Sequence, residues 1–149
     1  VKQFYSDIIW GDIDYMFIDC PPGTGDVPLT IFQSIPIDGV VVVTTPQDLV
    51  SVIVGKAVHM ADSMNIPVIG MIENMSYFIC PDCNNKHYIF GKSQLEQVIR
   101  DLYIGHAIRL PINPSLAGLM DRGEIEHMEA NADLQEFADL ISTFDPDKY

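Results

Sequence analysis

Two cysteines separated by two residues form the clearest chemical group in this sequence. Cys80 and Cys83 enclose a Pro-Asp dipeptide, and a tight turn of this length points both sulfurs to one side, where they bind one metal ion or one cluster edge. Zinc or an iron–sulfur cluster needs four ligands, so the others must come from a second chain, from His87 or from outside the protein. A shared metal ranks first. A redox dithiol or reversible disulfide ranks second, because the residues after Pro81 do not resemble the helix start of a thioredoxin-type motif.

A second group of reactive side chains follows an apolar segment near the start of the chain. Residues 15–18 predict a short buried strand, which ends at Asp19 and is followed by a Pro/Gly loop that reaches Asp26. The prolines exclude helix and central strand, and Gly23 and Gly25 allow positive φ or close backbone approach. Because ligands of open α/β sheets bind beyond the carboxyl ends of the strands, Asp19 could hold Mg²⁺ while loop amides face phosphate oxygens. An acidic strand end with a tight turn is an equally good interpretation.

Three further loops are predicted at the carboxyl ends of strands, at residues 45–48, 74–76 and 111–115. Since these ends meet at one edge of a parallel sheet, we expect their residues to converge on one ligand. The side-chain amide of Asn74 offers both a donor and an acceptor, as the edge of adenine does. From the residues alone, a cap or turn after Glu73 is the preferred interpretation of Asn74.

Composition and charge narrow the function classes. The chain of 149 residues is long enough for one domain with a real core. Its formal net charge of −13 argues against nucleic-acid binding through a basic surface. No apolar run is long enough to predict a membrane span. Three cysteines do not make a secreted disulfide framework, so a reducing compartment is expected.

The elements that must position these groups alternate along the chain, which predicts a doubly wound parallel sheet with right-handed connections. Val40–Thr44 lacks polar alternation, as in a strand covered on both faces. Residues 77–91 are predicted to be an insertion without regular structure, and such insertions are usually functional. The predicted helices are 2–10, 29–34, 49–64 (capped by Asp48 or Ser51), 92–102, 115–121 and 133–144, and the predicted strands are 15–18, 40–44, 67–72 and 107–110.

Six short segments occur in a fixed order along nearly the whole chain: D-C-P-P-G-T-G-D from Asp19, T-T-P-Q-D from Thr44, E-N-M-S-Y-F from Glu73, C-P-D-C from Cys80, F-G from Phe90 and L-P-I from Leu110. This order resembles the Mrp/ApbC-type iron–sulfur cluster carrier ATPases, a branch of the deviant-Walker P-loop NTPases that also contains the MinD/ParA proteins. The segment at 74–78 together with the cysteine pair separates this branch from MinD/ParA.

The resemblance also implies what the sequence lacks. Members of this family begin with a Walker A loop, but no G-x-x-x-x-G-K-[ST] motif occurs in this chain, so it has no cradle for the β- and γ-phosphates. Residues 1–149 are therefore expected to be the carboxyl-terminal part of one P-loop NTPase domain, with a C-x-x-C insertion at about 77–91. The expected fold is α/β, a three-layer P-loop NTPase-like parallel sheet with helices on both faces, incomplete because the first strand and P-loop are absent.

Residue roles follow from the same resemblance. Asp19 would be the Walker B carboxylate that binds Mg²⁺ through water, and Gly23 would belong to the switch loop that senses the γ-phosphate. Asn74 would contact adenine, and the loop at Pro111 would close over the base. Asn113 stands where the family usually has Asp, and it could hydrogen-bond adenine or cap the following helix.

The function implied is an ATP-dependent carrier that transfers a labile [4Fe–4S] cluster to apo iron–sulfur proteins. The family is described as soluble, cytoplasmic and homodimeric, with the cluster bound across the dimer by residues that correspond to Cys80 and Cys83; zinc could replace it. Cys20 stands where Thr is usual. One alternative is a non-enzymatic scaffold with a zinc-stapled dimer, and another is a MinD/ParA-type partitioning ATPase, for which a membrane-binding tail or basic surface is missing. By itself, the chain is expected not to hydrolyse ATP.

Overall fold

The structure is a computed structural model that describes residues 1–129 and 131–148, and the side chains of residues 48–51 lie outside the description. The predicted cap at Asp48 or Ser51 falls on those side chains. The described residues form helices α1 Lys2–Ser6, α2 Asp26–Ser34, α3 Asp48–Ser63, α4 Leu95–Asp101, α5 Pro114–Asp121 and α6 Ala132–Ser142, strands β1 Val40–Thr44, β2 Val68–Ile79, β3 Lys86–His87 and β4 Ala107–Pro111, and 3-10 turns at Ile125–His127 and Pro146–Lys148.

Strand β2 is the centre of an open sheet. It pairs in parallel with β1 on one side and with β4 on the other, and its far end pairs antiparallel with the short β3. The Cα atom of Glu73 lies opposite Thr44 of β1 and opposite Arg109 of β4. The parallel strands β1 and β4 therefore end at the same edge of the sheet, as the alternation of helices and strands predicts. Strand β2 continues beyond that edge to Ile79, and its antiparallel pairing with β3 makes the sheet mixed.

Helices cover both faces of this sheet. On one face α3 and α4 enclose a buried apolar cluster. On the other face α6 lies against the sheet, where a Cβ atom built on Gly70 would lie 2.8 Å from the ring of Phe137. Glycine is thus required for this close approach, and the predicted three-layer arrangement is confirmed. The buried cluster consists of Val42, Val54, Val58, Met71, Leu95 and Ile104.

The predicted strand at residues 15–18 is wrong. The segment belongs to no strand and is unpaired, and the side chains of Tyr15 and Phe17 are 57% and 76% exposed. Within the described residues β1 pairs only with β2, so no neighbouring strand offers hydrogen bonds to the segment. Apolar composition favours a strand, but the strand forms only where a partner edge receives it.

Smaller differences have local causes. Helix α1 ends at Ser6 and not at residue 10, and the Tyr5 carbonyl accepts a hydrogen bond from the Trp10 indole in place of a further helical N–H. Val43 is 64% exposed, so β1 is not covered on both faces. Strand β2 does not end at residue 72, and part of the segment 77–91 is therefore regular. No helix among the described residues is both long and apolar enough to cross a membrane.

Candidate functional site

Residues 74–76 form a bulge inside β2 rather than a loop after it. Glu73 lies opposite Arg109, but Tyr77 lies opposite Pro111, so four steps along β2 face two steps along β4. Met75 adopts a positive φ of 55°, which is uncommon for a residue with a side chain. Bulges of this kind redirect side chains and are frequent beside binding sites.

Asn74 stabilises this bulge. Its side chain is exposed, and its Oδ1 atom accepts a hydrogen bond of 2.9 Å from the backbone N–H of Met75. This is the turn-forming role that the residues alone favour. This contact uses the acceptor of the amide, and in the part of the chain that the structure describes its NH₂ group makes no hydrogen bond, so it can donate to a ligand at the carboxyl edge of the sheet.

A buried carboxylate lies beside Asn74. Glu73 is only 3% exposed and accepts hydrogen bonds from the hydroxyls of Ser76, at 2.5 Å, and Ser93, at 2.9 Å. The Nε atom of Arg109 lies 3.8 Å from the Glu73 carboxylate and donates to the Ser93 hydroxyl at 3.1 Å. Each oxygen of Glu73 thus has a hydrogen-bond donor, as a buried charge requires. We call Glu73, Ser76, Ser93 and Arg109 the Glu73 network.

The Glu73 network fixes both ends of the segment that carries the cysteines. Ser76 lies immediately before that segment and Ser93 shortly after it. The Ser93 hydroxyl also accepts from the backbone N–H of Leu95 and so marks the start of α4. Sequence reasoning missed this network. The only signal was a carboxylate at the end of an apolar strand, and its partners lie up to 36 positions further along the chain.

The end of β4 reaches the same edge. Pro111 is half-buried and pairs with Tyr77, and the next N–H, that of Ile112, donates to the Tyr77 carbonyl at 2.7 Å. The Oδ1 atom of Asn113 accepts from the N–H of Ser115 at 3.0 Å and caps α5. The structure thus brings Pro111 and Asn113 to the edge that carries Asn74, and it gives Asn113 a capping role.

The loop that contains Asp19 does not join this edge through hydrogen bonds. Asp19 is exposed, and within the described residues the loop makes no hydrogen bond to β1, β2 or β4. Gly23 has a φ of 91°, the conformation for which a glycine was predicted. Partial burial, and next the charge of Asp19, raise the pKa of the Cys20 thiol. Because residues 15–18 form no strand, no strand pairing among the described residues holds Asp19 at the sheet.

The cysteine pair lies in a β-hairpin that extends from the end of β2. Phe78 and Ile79 pair antiparallel with His87 and Lys86. The turn is closed by hydrogen bonds from the Cys80 N–H to the Asn85 carbonyl, 3.0 Å, and from the Asn84 N–H to the Cys80 carbonyl, 2.9 Å. The cysteines are therefore held at a defined turn and not in an irregular insertion.

Three potential metal ligands meet at this turn. The side-chain donor atoms of Cys80, Cys83 and His87 all lie within 4.8 Å of one another. Hydrogen bonds from the backbone N–H groups of Cys83 and Asp82, and from the Cys83 thiol, lower the pKa of the Cys80 thiol. The turn thus favours the thiolate, the form that binds metals. Cys80 is half-buried, whereas Cys83 and His87 are exposed.

Exposed apolar side chains surround the cysteine turn. They belong to the hairpin and the residues just after it, and clusters of exposed apolar residues commonly mark interaction surfaces. The nearby Lys86 ammonium lies 4.2 Å from the centroid of the Tyr77 ring, a distance at which a cation is attracted to a ring face. The exposed apolar residues are Ile79, Tyr88, Ile89 and Phe90.

Comparisons with known proteins agree on one class of protein, the iron-transfer P-loop NTPases and iron–sulfur cluster carriers. A family described as ParA, "NUBPL iron-transfer P-loop NTPase", matches residues 1–144. An "iron-sulfur cluster carrier protein" of Methanocaldococcus jannaschii is 47% identical over 124 residues, which are 83% of this chain and 43% of that protein. A "probable cytosolic Fe-S cluster assembly factor" of Schizosaccharomyces japonicus is 40% identical over 136 residues, 85% of this chain and 22% of that protein.

One solved structure is also similar. It is a nucleotide-binding protein of Archaeoglobus fulgidus in complex with ADP, in which cobalt was found. It is 38% identical to this chain, its TM-score is 0.78, and the match covers 96% of this chain and 56% of the other. The chain spans only about half the length of this protein and less than half of the two curated relatives.

Proposed function

Because the chain belongs to the ParA family of iron-transfer P-loop NTPases, we propose that it is the carboxyl-terminal part of an ATP-dependent iron–sulfur cluster carrier. The proposal places residues 1–149 within one P-loop NTPase domain, with the cysteine hairpin as its insertion. The observation that carries it is the continuity of β2, which bears Asn74 at the sheet edge and ends in the turn of Cys80 and Cys83. Similarity to proteins named iron-sulfur cluster carriers supports a cluster as the cargo.

The cargo site is proposed to lie between two copies of the chain. One turn supplies two thiolates, and a [4Fe–4S] cluster takes four, so a symmetric dimer that pairs two turns completes the set. The exposed Cys83 and the surrounding apolar patch suit such a contact, because both are accessible on the hairpin. Apo iron–sulfur proteins would receive the cluster, and the cytoplasm is the proposed compartment.

The nucleotide site is proposed at the carboxyl edge of the sheet. Asn74, Pro111 and Asn113 would contact or enclose the adenine, while Asp19 would hold Mg²⁺ and Gly23 would sense the γ-phosphate. The ADP complex of the A. fulgidus relative supports a nucleotide ligand. Because the sequence has no Walker A motif, we propose that this chain does not hydrolyse ATP unaided.

The Glu73 network would couple the two sites. Its carboxylate is adjacent to Asn74, and its serines hold both ends of the cysteine segment. A change at the bulge on nucleotide binding would therefore alter the direction of the hairpin and the separation of the two cysteine turns. Ligand binding at one site affects a second site only through an element that has two arrangements to which the ligand binds with different affinity.

The test replaces Cys80 and Cys83 together by alanine in the full-length protein, followed by anaerobic reconstitution with iron and sulfide. We expect the cluster absorbance to be lost. Cys20→Ala is the matched control, because it removes a cysteine outside the hairpin and should leave the absorbance intact. Undiminished absorbance in the double variant would overturn the proposal.

The zinc-stapled scaffold remains a second candidate on one observation, the Cys₂His donor set at the hairpin, which suits zinc as well as iron. Anaerobic metal analysis separates the two. Zinc at one ion per two chains, with no cluster after reconstitution, would favour the scaffold.

A further inference from the structure

We propose that His87 is a third metal ligand, so that a single chain binds one divalent metal ion through Cys80, Cys83 and His87 and leaves the fourth coordination position open. The inference deepens the proposed function, since it uses the same cysteine pair. It differs in that it requires one chain and no dimer.

The hairpin register places His87 at this site. His87 pairs with Phe78, two positions before Cys80 on the opposite strand, and the turn between them is closed by two backbone hydrogen bonds. The imidazole therefore comes to the cysteines through strand pairing, not through a flexible tail. The separations of the three donor atoms, up to 4.8 Å, follow from this backbone.

These separations need only a small adjustment for metal binding. With metal–sulfur bonds of about 2.3 Å and metal–nitrogen bonds of about 2.0 Å, tetrahedral ligand atoms lie about 3.5–3.8 Å apart. The donors must approach by about 1 Å, a shift of the size that small χ rotations within a single rotamer well produce. Cys83 and His87 are both exposed and have room for this change.

The donor set selects the class of ion. Two thiolates and one imidazole suit zinc, cobalt(II) and iron(II), whereas Mg²⁺ and Ca²⁺ require oxygen ligands. Three protein ligands with an open fourth position also differ from the closed, four-ligand arrangement of structural zinc sites. An external ligand, such as a thiolate of a second protein, can therefore bind the ion directly.

A site within one chain would give the cysteine pair two alternative metal-bound states, one with a single ion and one with a shared cluster. A single ion held by three ligands of one chain would occupy the sulfurs that a cluster between two chains needs. Metal loading of the monomer and cluster assembly on the dimer would then be mutually exclusive. The stoichiometry distinguishes them, since the first binds one ion per chain and the second binds one cluster per two chains.

The test is an anaerobic titration of the full-length apoprotein with Co²⁺, followed by visible absorption, with sedimentation to report the oligomeric state. We expect saturation at one Co²⁺ per chain in a monomer. His87→Ala should weaken binding by about tenfold or more, since even loss of an outer-shell partner costs about 10–100-fold in affinity. His87→Cys should restore binding and add intensity to the thiolate-to-cobalt charge-transfer band. His127→Ala, a histidine remote from the cysteines in sequence, is the matched control.

Two results would overturn the inference: an unchanged Co²⁺ affinity in His87→Ala, or saturation of the unsubstituted protein at one ion per two chains. Iron–sulfide reconstitution separates this failure from failure of the proposed function. If His87→Ala binds Co²⁺ normally but the double cysteine variant loses the cluster, only the His87 site is wrong. If His87→Ala loses Co²⁺ but the double cysteine variant keeps the cluster, only the cargo site is wrong.

Discussion

Replacing Glu73 by alanine should be the most destabilising single change at the sheet edge. The substitution leaves the hydroxyl of Ser76, which is fully buried, without its acceptor, and it removes the acceptor of Ser93 as well. Each hydrogen bond to a charged group contributes about 1.5–3 kcal/mol, and removal of one partner of a buried ion pair costs about 3–5 kcal/mol. Because Arg109 is 35% exposed, water can solvate it, so we expect a loss of about 3 kcal/mol.

Glu96 provides a matched control, because it binds the same arginine from the solvent side. Its carboxylate lies 3.1 Å from the Nη2 atom of Arg109, but its side chain is 63% exposed. Exposed ion pairs contribute about 0–1 kcal/mol. Glu96→Ala should therefore lower the free energy of unfolding by less than about 1 kcal/mol, although it removes the same charge from the same partner.

Equilibrium unfolding in urea measures both changes. The midpoint should fall strongly for Glu73→Ala and little for Glu96→Ala, with an unchanged dependence of the free energy on urea concentration. Glu73→Gln, which keeps the shape and one acceptor, should fall between them and covers the case in which the alanine variant does not fold. Equal losses for the Glu73 and Glu96 variants would refute the idea that burial makes Glu73 the anchor of the network.

Three further predictions concern reactivity and packing. Cys80 should be alkylated by iodoacetamide faster than Cys20 at neutral pH, because local hydrogen bonds lower the pKa of the Cys80 thiol whereas burial raises that of Cys20; mass spectrometry of partially labelled protein gives the order, and a faster Cys20 would contradict it. Gly70→Ala should lower the free energy of unfolding by about 1–3 kcal/mol through overpacking against α6. The control Gly55→Ala lies at a helical site with open space for a Cβ atom and should leave the free energy of unfolding unchanged or raise it by up to about 1 kcal/mol. Similar values for both variants would show that α6 moves to make room for the added methyl group. Asn113→Ala should lower the thermal midpoint, because loss of a helix cap costs about 1 kcal/mol, and an unchanged midpoint in calorimetry would mean that this cap does not stabilise α5.

The strands that find a pairing partner within the sheet were predictable from the sequence. The runs at 40–44 and 107–110 form β1 and β4 because each finds β2 as a partner. Residues 15–18 are as apolar as β1, yet they stay unpaired. The apolar pattern of a segment shows which side chains it can bury. Strand pairing also depends on the edge of a neighbouring strand, which the sequence of the segment itself does not reveal.

At the candidate site, residue types were easier to predict than their contacts. The cysteine pair and Asn74 carry visible chemistry, whereas the importance of Glu73 depends on Ser93 and Arg109, which are remote in sequence. The hairpin was missed for a related reason. Its second strand has two residues, both polar, and such a strand has no hydrophobic period to detect.

The growth of the cysteine hairpin directly from β2 restricts how evolution or engineering can change its length. Successive side chains of a strand alternate between two faces. A single residue inserted between Tyr77 and Cys80 would turn both sulfurs toward the opposite side of the ribbon, away from His87, unless the other strand changed with it. Paired insertions, one on each strand, would preserve the match and lengthen the arm by about 3.4 Å for each added pair, with the two-sided alternation restored after every second pair. The reach of the cysteine turn can therefore change without re-aiming the sulfurs only when both strands of the hairpin lengthen together or when a bulge, as at residues 74–76, absorbs the extra residues.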